Sequence, residues 1–270
     1  MKFLAAWLVF LLAIPVGASP DKPDGARMLA HVRVLAQQIG VRRGGSPAER
    51  KAADYIATQL QGYGYTVTRQ SVPLPGGRST LNVVADKPGL RPYIVGAHID
   101  SKPPSPGGND NATGVAVTLE LARLLKDSKK PLRFLFFGCE EVIDGDSDHH
   151  HFGSRHYVAQ LSQADLEQIP GMICIDSVGA GPHFVIGTLI DASDLSRTLR
   201  QRAQSLGYAV EDMVDPGWSD HEAFHHAGVE TAYVRWRVDP TLHGRGDNVA
   251  HVSMAKMMVA ARTVLSFLSR

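Results

Sequence analysis

Four short, almost wholly apolar runs, at residues 93–97, 132–137, 172–175 and 231–234, constrain this chain more than any other feature. Each is too short for a buried helix and of the right length for a strand covered on both faces. Helical periodicity separates or follows them, at 112–125, 154–161, 195–206 and 252–268. Buried strands alternating with helices indicate βαβ units, so the expected fold is α/β: one three-layer α/β/α domain around a mixed, mostly parallel sheet. Ahead of these units, Ala52, Ala53, Ile56, Ala57 and Leu60 recur at helical spacing over 48–62, with Ser46 as cap and Gly62 as stop. Residues 65–68 and 80–85 read as two strands around a turn that contains Pro73, Pro75, Gly76 and Gly77.

Lys2 precedes an apolar run over 3–16, and Val16-Gly17-Ala18 is a small-residue sequence of the kind signal peptidase cuts after. The run is shorter than the roughly 20 residues a membrane-spanning helix needs. No later segment is apolar enough to span a membrane, so no membrane association is expected after cleavage. The expectations are a signal peptide over 1–18, one domain over 19–270 undivided by linker or repeat, a secreted or periplasmic location, and a monomer. Against 27 Asp and Glu stand 28 Lys and Arg, a net of +1, with no basic cluster to track phosphates, so nucleic acid is not an expected partner. Cys139 and Cys174 are the sole cysteines, too few for a disulfide scaffold, and are read as two buried thiols.

Parallel sheets bind ligands at the carboxyl ends of their strands, and the unusual polar residues of this chain fall there. His98 and Asp100 follow the first apolar run, Glu140 and Glu141 the second, and Asp176 ends the third. Zinc takes imidazole and carboxylate donors converging from several directions. Asp100 stands two residues beyond His98, where it can orient the imidazole. Asp110 lies in the glycine-rich Gly107-Gly108-Asn109-Asp110-Asn111 at the mouth of a helix; there an ordinary N-terminal cap competes with a ligand role. Adjacent Glu140 and Glu141 would repel at a buried strand end unless one binds a cation and the other has a raised pKa. An unpaired charge on Asp176 would be costly in the same way. Near the C-terminus His243 is followed by Asp247, with His251 a rival that spacing does not eliminate.

The ordered set Ala97-His98-Ile99-Asp100, Gly108-Asn109-Asp110-Asn111-Ala112-Thr113-Gly114, Phe136-Phe137-Gly138-Cys139-Glu140-Glu141, Ile175-Asp176, Ser219-Asp220-His221 and His243 with Asp247 resembles the co-catalytic zinc aminopeptidase family, which also contains the animal-type glutaminyl cyclases. The resemblance runs from Gly45-Ser46-Pro47-Ala48-Glu49 to the last helix. It implies the zinc exopeptidase fold and two zinc ions, with Asp110 bridging, His98 and Asp176 on one ion, and Glu141 and His243 on the other. A cyclase would carry one zinc. The resemblance selects His243 over His251, makes Glu140 the general base, implies a cis peptide between Asp110 and Asn111, and puts Asp220 and His221 behind the ligands or in the substrate pocket. Gly244 stands where the family commonly has Thr. The implied partner is a peptide with a free N-terminus.

An aminopeptidase is the leading expectation, a glutaminyl cyclase the alternative, and a catalytically dead binding module the third class. Residues 142–152 replace a short turn with Asp144, Asp146, Asp148 and His149-His150-His151; they are expected to form a solvated rim, with a gating or metal-binding loop as the rival. The cyclases build an aromatic cage with Trp beside the ligand His and in this segment. Here Leu242 precedes His243 and the segment offers only Phe152.

Overall fold

Helix α1 (Gly25–Val32) is capped by the Asp24 side chain and runs into a wider π-helical stretch over Arg33–Ile39. Helix α2 (Pro47–Gly62) starts where Ser46 accepts the Glu49 amide, as its sequence requires. A hairpin of β1 (Thr66–Leu74) and β2 (Arg78–Asp86) follows, then β3 (Tyr93–His98), α3 (Ala112–Leu124) and β4 (Leu132–Phe137). Next come α4 (Phe152–Ala159), α5 (Gln163–Glu167), β5 (Met172–Ile175), β6 (His183–Thr188) and α6 (Asp194–Ser205). The last elements are β7 (Glu211–Val214), α7 (His221–His226), β8 (Thr231–Arg237) and α8 (Met254–Leu268). This computed structural model describes residues 22–86, 91–146, 148–190 and 193–269; the leader expected at 1–18 lies outside them.

All four apolar runs are strands, and they lie side by side. One eight-stranded sheet has the order β1-β2-β4-β3-β5-β8-β6-β7. The inner quartet β4, β3, β5 and β8 is parallel, as strands joined by helical crossovers must be, whereas β1, β2 and the β8–β6 pair are antiparallel. Alternate residues of each inner strand enter opposite cores. Val95, Phe134, Ile173 and Val234 pack under α1, α2, α3, α6 and α8, while Ile94, Leu135, Cys174 and Tyr233 pack under α4 and α7. The strand order turns at β3, between β4 on one side and β5 on the other. That switch point is where the inner strands present their carboxyl ends to a common crevice.

The hairpin is longer than its apolar pattern suggests, because β1 exposes most of its length and carries polar residues there. Strands β6 and β7 and helices α1, α5 and α7 have no counterpart in the sequence reading. Both cysteines are buried and free.

Candidate active site

The crevice is floored by the residues that follow the inner strands. His98 ends β3, and its Nε2 lies 3.0 Å from Asp110 Oδ1 and 3.6 Å from Asp176 Oδ1. The other Asp110 oxygen faces the opposite way, 3.1 Å from His243 Nε2, which is also 3.3 Å from Glu141 Oε1. Asp110 therefore belongs to two donor groups, His98–Asp110–Asp176 and Asp110–Glu141–His243, each with its donor atoms within 4.8 Å of one another. His251 stands apart, with Nε2 2.9 Å from Asp239 Oδ1.

Backbone geometry aims these side chains. Asn111 rather than Asp110 caps α3, accepting the Gly114 amide at 2.9 Å, which leaves the Asp110 carboxylate free to face the crevice. A side chain at Gly114 would collide with Asn111 Oδ1 and the Ile175 carbonyl, each 2.2 Å from its Cβ, so glycine lets α3 start against the end of β5. The Asp110–Asn111 peptide is cis. Asp247 accepts the Asn109 amide and, at 3.2 Å, the Asp110 amide, so it fixes the loop and not the His243 ring. Asp100 accepts the Glu140 and Glu141 amides at 2.9 and 3.1 Å while its Oδ1 sits 3.4 Å from His98 Nδ1. Cys139, His151, Ser177 and His243 all have left-handed backbones (φ between +52° and +61°), a conformation costing about 1–3 kcal/mol each; the last three line the crevice, and Cys139 directly precedes Glu140.

Four buried carboxylates, Asp110, Glu140, Glu141 and Asp176, crowd this floor. Burial works against ionised Asp110, but hydrogen bonds from His243 and His98 hold it well below the usual carboxylate range. His98 is raised despite its burial, by Glu140 and the three aspartates around it. Hydrogen bonds to Asp110 and Glu141 push His243 up to about 10. So dense a set of oxygen and imidazole donors suits divalent cations of the zinc type, which would take the place of those imidazole protons.

Glu140 is in neither donor group. Burial raises its pKa to about 8 against the pull of His98 and His151. The His151 contact was not anticipated from sequence. Its Nε2 is 3.1 Å from Glu140 Oε1, and its Nδ1 is 2.8 Å from Glu222 Oε2, which Arg155 also holds at 3.0 Å. Burial opposes charge on His151, yet its bonds to Glu140 and Glu222 push it up to about 10. The solvated-rim reading of 142–152 thus describes Asp144 and His149, which pair with each other on the outside, and fails at His151. Arg155 donates to the same Glu222 oxygen that meets His151, so this corner already contains a cation.

Above the floor opens a cavity of about 590 Å³. Its wall includes Trp218, Tyr233, Arg235 and Arg237, none of which stood out in the sequence, together with Val142 and Leu242. Asp220 and His221 are fully buried and take the position behind the wall; His221 stacks on Tyr233 with ring centroids 4.5 Å apart. Phe152 packs against the Leu74–Cys139–Ile143 cluster.

The sequence model of peptidase family M28 matches residues 82–268, which hold every residue of both donor groups. The chain belongs to peptidase family M28. Among M28 relatives, it is 34% identical to aminopeptidase YwaD of Bacillus subtilis over 183 residues, covering 63% of this chain and 39% of that protein. It is 32% identical to leupeptin-inactivating enzyme 1 of Streptomyces exfoliatus over 236 residues, covering 81% of this chain and 51% of the other. The chain spans about half the length of these curated relatives. The M28 fold matches a zinc aminopeptidase from Bacillus subtilis with TM-score 0.82 at 21% identity, over 91% of this chain and 94% of that one. It matches the glutaminyl cyclase of Porphyromonas gingivalis with TM-score 0.80 at 22% identity, over 91% and 98%.

Proposed function

We propose that this chain is an exported zinc-dependent aminopeptidase that removes N-terminal residues from peptides. One observation carries the reading: two donor groups share Asp110, while the second buried glutamate of the site, Glu140, stays outside both with an oxygen 3.9 Å from His98 Nε2. On this reading His98, Asp110 and Asp176 would hold one zinc, and Asp110, Glu141 and His243 the other. Bound zinc supplies Lewis acidity, lowering the pKa of water and polarising the scissile carbonyl. Glu140 takes the proton of the attacking water and hands it to the leaving amine, a task suited to a carboxyl group with a raised pKa. His151, anchored by Glu222, fixes the direction in which the Glu140 carboxylate points. Asp100 and Asp247 hold the backbone of Glu140, Glu141 and Asp110 in place. Residues 1–18 serve as the export signal, and the catalytic domain is built from 19–270.

The glutaminyl cyclase reading draws support from Trp218 and Tyr233 in the cavity wall, which supply aromatic surface for a small side chain. It draws less from the segment 142–152, whose Phe152 packs away from the cavity. Purified protein, offered a panel of aminoacyl anilides and short peptides beside an N-terminal glutaminyl peptide, should release free amino acids, as read by mass. Loss of ammonia from the glutaminyl peptide without any released residue would give the chain to the cyclases. The intact mass of protein recovered outside the cytoplasm tests cleavage after Ala18.

A further inference from the structure

Arg235 is 91% buried in the wall of the cavity and, among the described residues, has no carboxylate within ion-pairing distance. A buried guanidinium is seldom left so. Its Nη1 donates to the Tyr233 hydroxyl at 2.9 Å, and that hydroxyl donates to Asp176 Oδ2 at 3.0 Å. Its Nε has no hydrogen-bond partner. Arg237, two residues along β8 and so on the same face, also lines the cavity, and both guanidinium carbons lie 5.9 Å from the centroid of the Trp218 ring. Lys102 adds a third cation to the lining. The cavity is therefore polarised, with acids on its floor and cations on its wall. When Asp176 serves a metal ion, it no longer offsets the charge of Arg235.

We propose that Arg235, flanked by Arg237 and Trp218, is a binding site for a substrate carboxylate located within one residue of the scissile bond. The inference rests on the aminopeptidase reading of the same cavity and names its substrate class. The free amino group of a peptide belongs at the acidic floor. One residue of extended chain spans about 3.5 Å, and Arg235 stands only two hydrogen bonds from Asp176. Two carboxylates fall within that reach: the C-terminus of a dipeptide and the acidic side chain of the residue being released. A planar, five-donor guanidinium with a spare Nε–H matches either.

Two matched pairs separate these sources: a dipeptide against its C-terminal amide, and an aspartyl anilide against an asparaginyl anilide. The zinc-loaded wild type should favour the charged member of at least one pair by on the order of 10- to 100-fold in kcat/KM, the worth of a charge-assisted hydrogen bond. Preference in the first pair assigns the terminal carboxylate, and preference in the second the side chain. Arg235→Met should collapse that ratio towards one, chiefly through KM, and Arg235→Lys should retain part of it. Wild-type turnover of both members of both pairs within threefold overturns this site and leaves the peptidase reading standing. An equal fall in kcat on every substrate in Arg235→Met, with the ratio kept, moves Arg235 to the scissile carbonyl and also overturns it. Absence of turnover on all four substrates sinks the peptidase reading and this site together. The wild-type ratios need no variant, so a misfolded Arg235→Met leaves the test intact.

Discussion

At the scale of single residues, adjacent Glu140 and Glu141 receive different surroundings. Glu141 faces Asp110 and His243, whereas Glu140 faces His98 and His151. Glu140→Gln should keep its zinc and lower kcat by on the order of 10² to 10⁴, the usual contribution of a general base. Glu141→Gln should lose zinc. Metal analysis alongside initial rates reads both, and zinc loss in Glu140→Gln would show the two roles exchanged. Acids and imidazoles directly after apolar strands stood out because an unpaired charge at a buried strand end is costly. His151 was not, since its inward turn depends on a left-handed backbone (φ +52°) that no spacing reveals. Arg235 and Arg237 sit at period two from Tyr233, the alternation of a strand, but the apolar run stops at Val234 and hides its continuation.

Among the elements, the loops depend on one side chain more than on any helix. Arg42 is fully buried and donates to five carbonyls, those of Leu35, Gly40, Ile99, Pro106 and Gly107. It thereby ties the end of the π-helical stretch to the segment after β3 and to the loop that carries Asp110. Lysine has three donors in another geometry, so Arg42→Lys leaves buried carbonyls unpaired at about 1–3 kcal/mol each. We expect Arg42→Lys to lower stability by about 3 kcal/mol and zinc affinity by at least about tenfold, read by thermal melting and chelator competition. Unchanged zinc affinity in a destabilised variant would confine Arg42 to folding. The inner strands and their crossover helices were readable because burial on both faces leaves an apolar signature. Strand β7 and helix α5 are mostly exposed, and neither leaves such a trace.

Across the whole molecule, acid sensitivity has a source remote from the crevice. His31 is 5% exposed, its Nδ1 is 2.7 Å from the Tyr55 hydroxyl, and its Nε2 has no partner. Burial, with help from Arg27, lowers its pKa to about 4. Between pH 6.5 and 4 the unfolded chain accepts a proton there that the folded chain does not, so this stability is complete above pH 6.5 and is lost as pH falls. At pH 5 the loss amounts to about 2 kcal/mol. Urea unfolding at pH 7 and pH 5 should show His31→Leu losing about 2 kcal/mol less than wild type over that interval; equal losses would assign the acid sensitivity elsewhere. The order in which a ribosome delivers the chain gives the shared carboxylate a further meaning. Asp110 is synthesised well before His243, and before Asp247, whose side chain accepts the Asp110 amide. Until residues 243–247 have emerged, a growing chain has Glu140 and one donor group but neither the His243 imidazole nor the Asp247 carboxylate that accepts the Asp110 amide. On the proposed reading, hydrolysis waits until residues 243–247 have been made, whatever has already folded ahead of them.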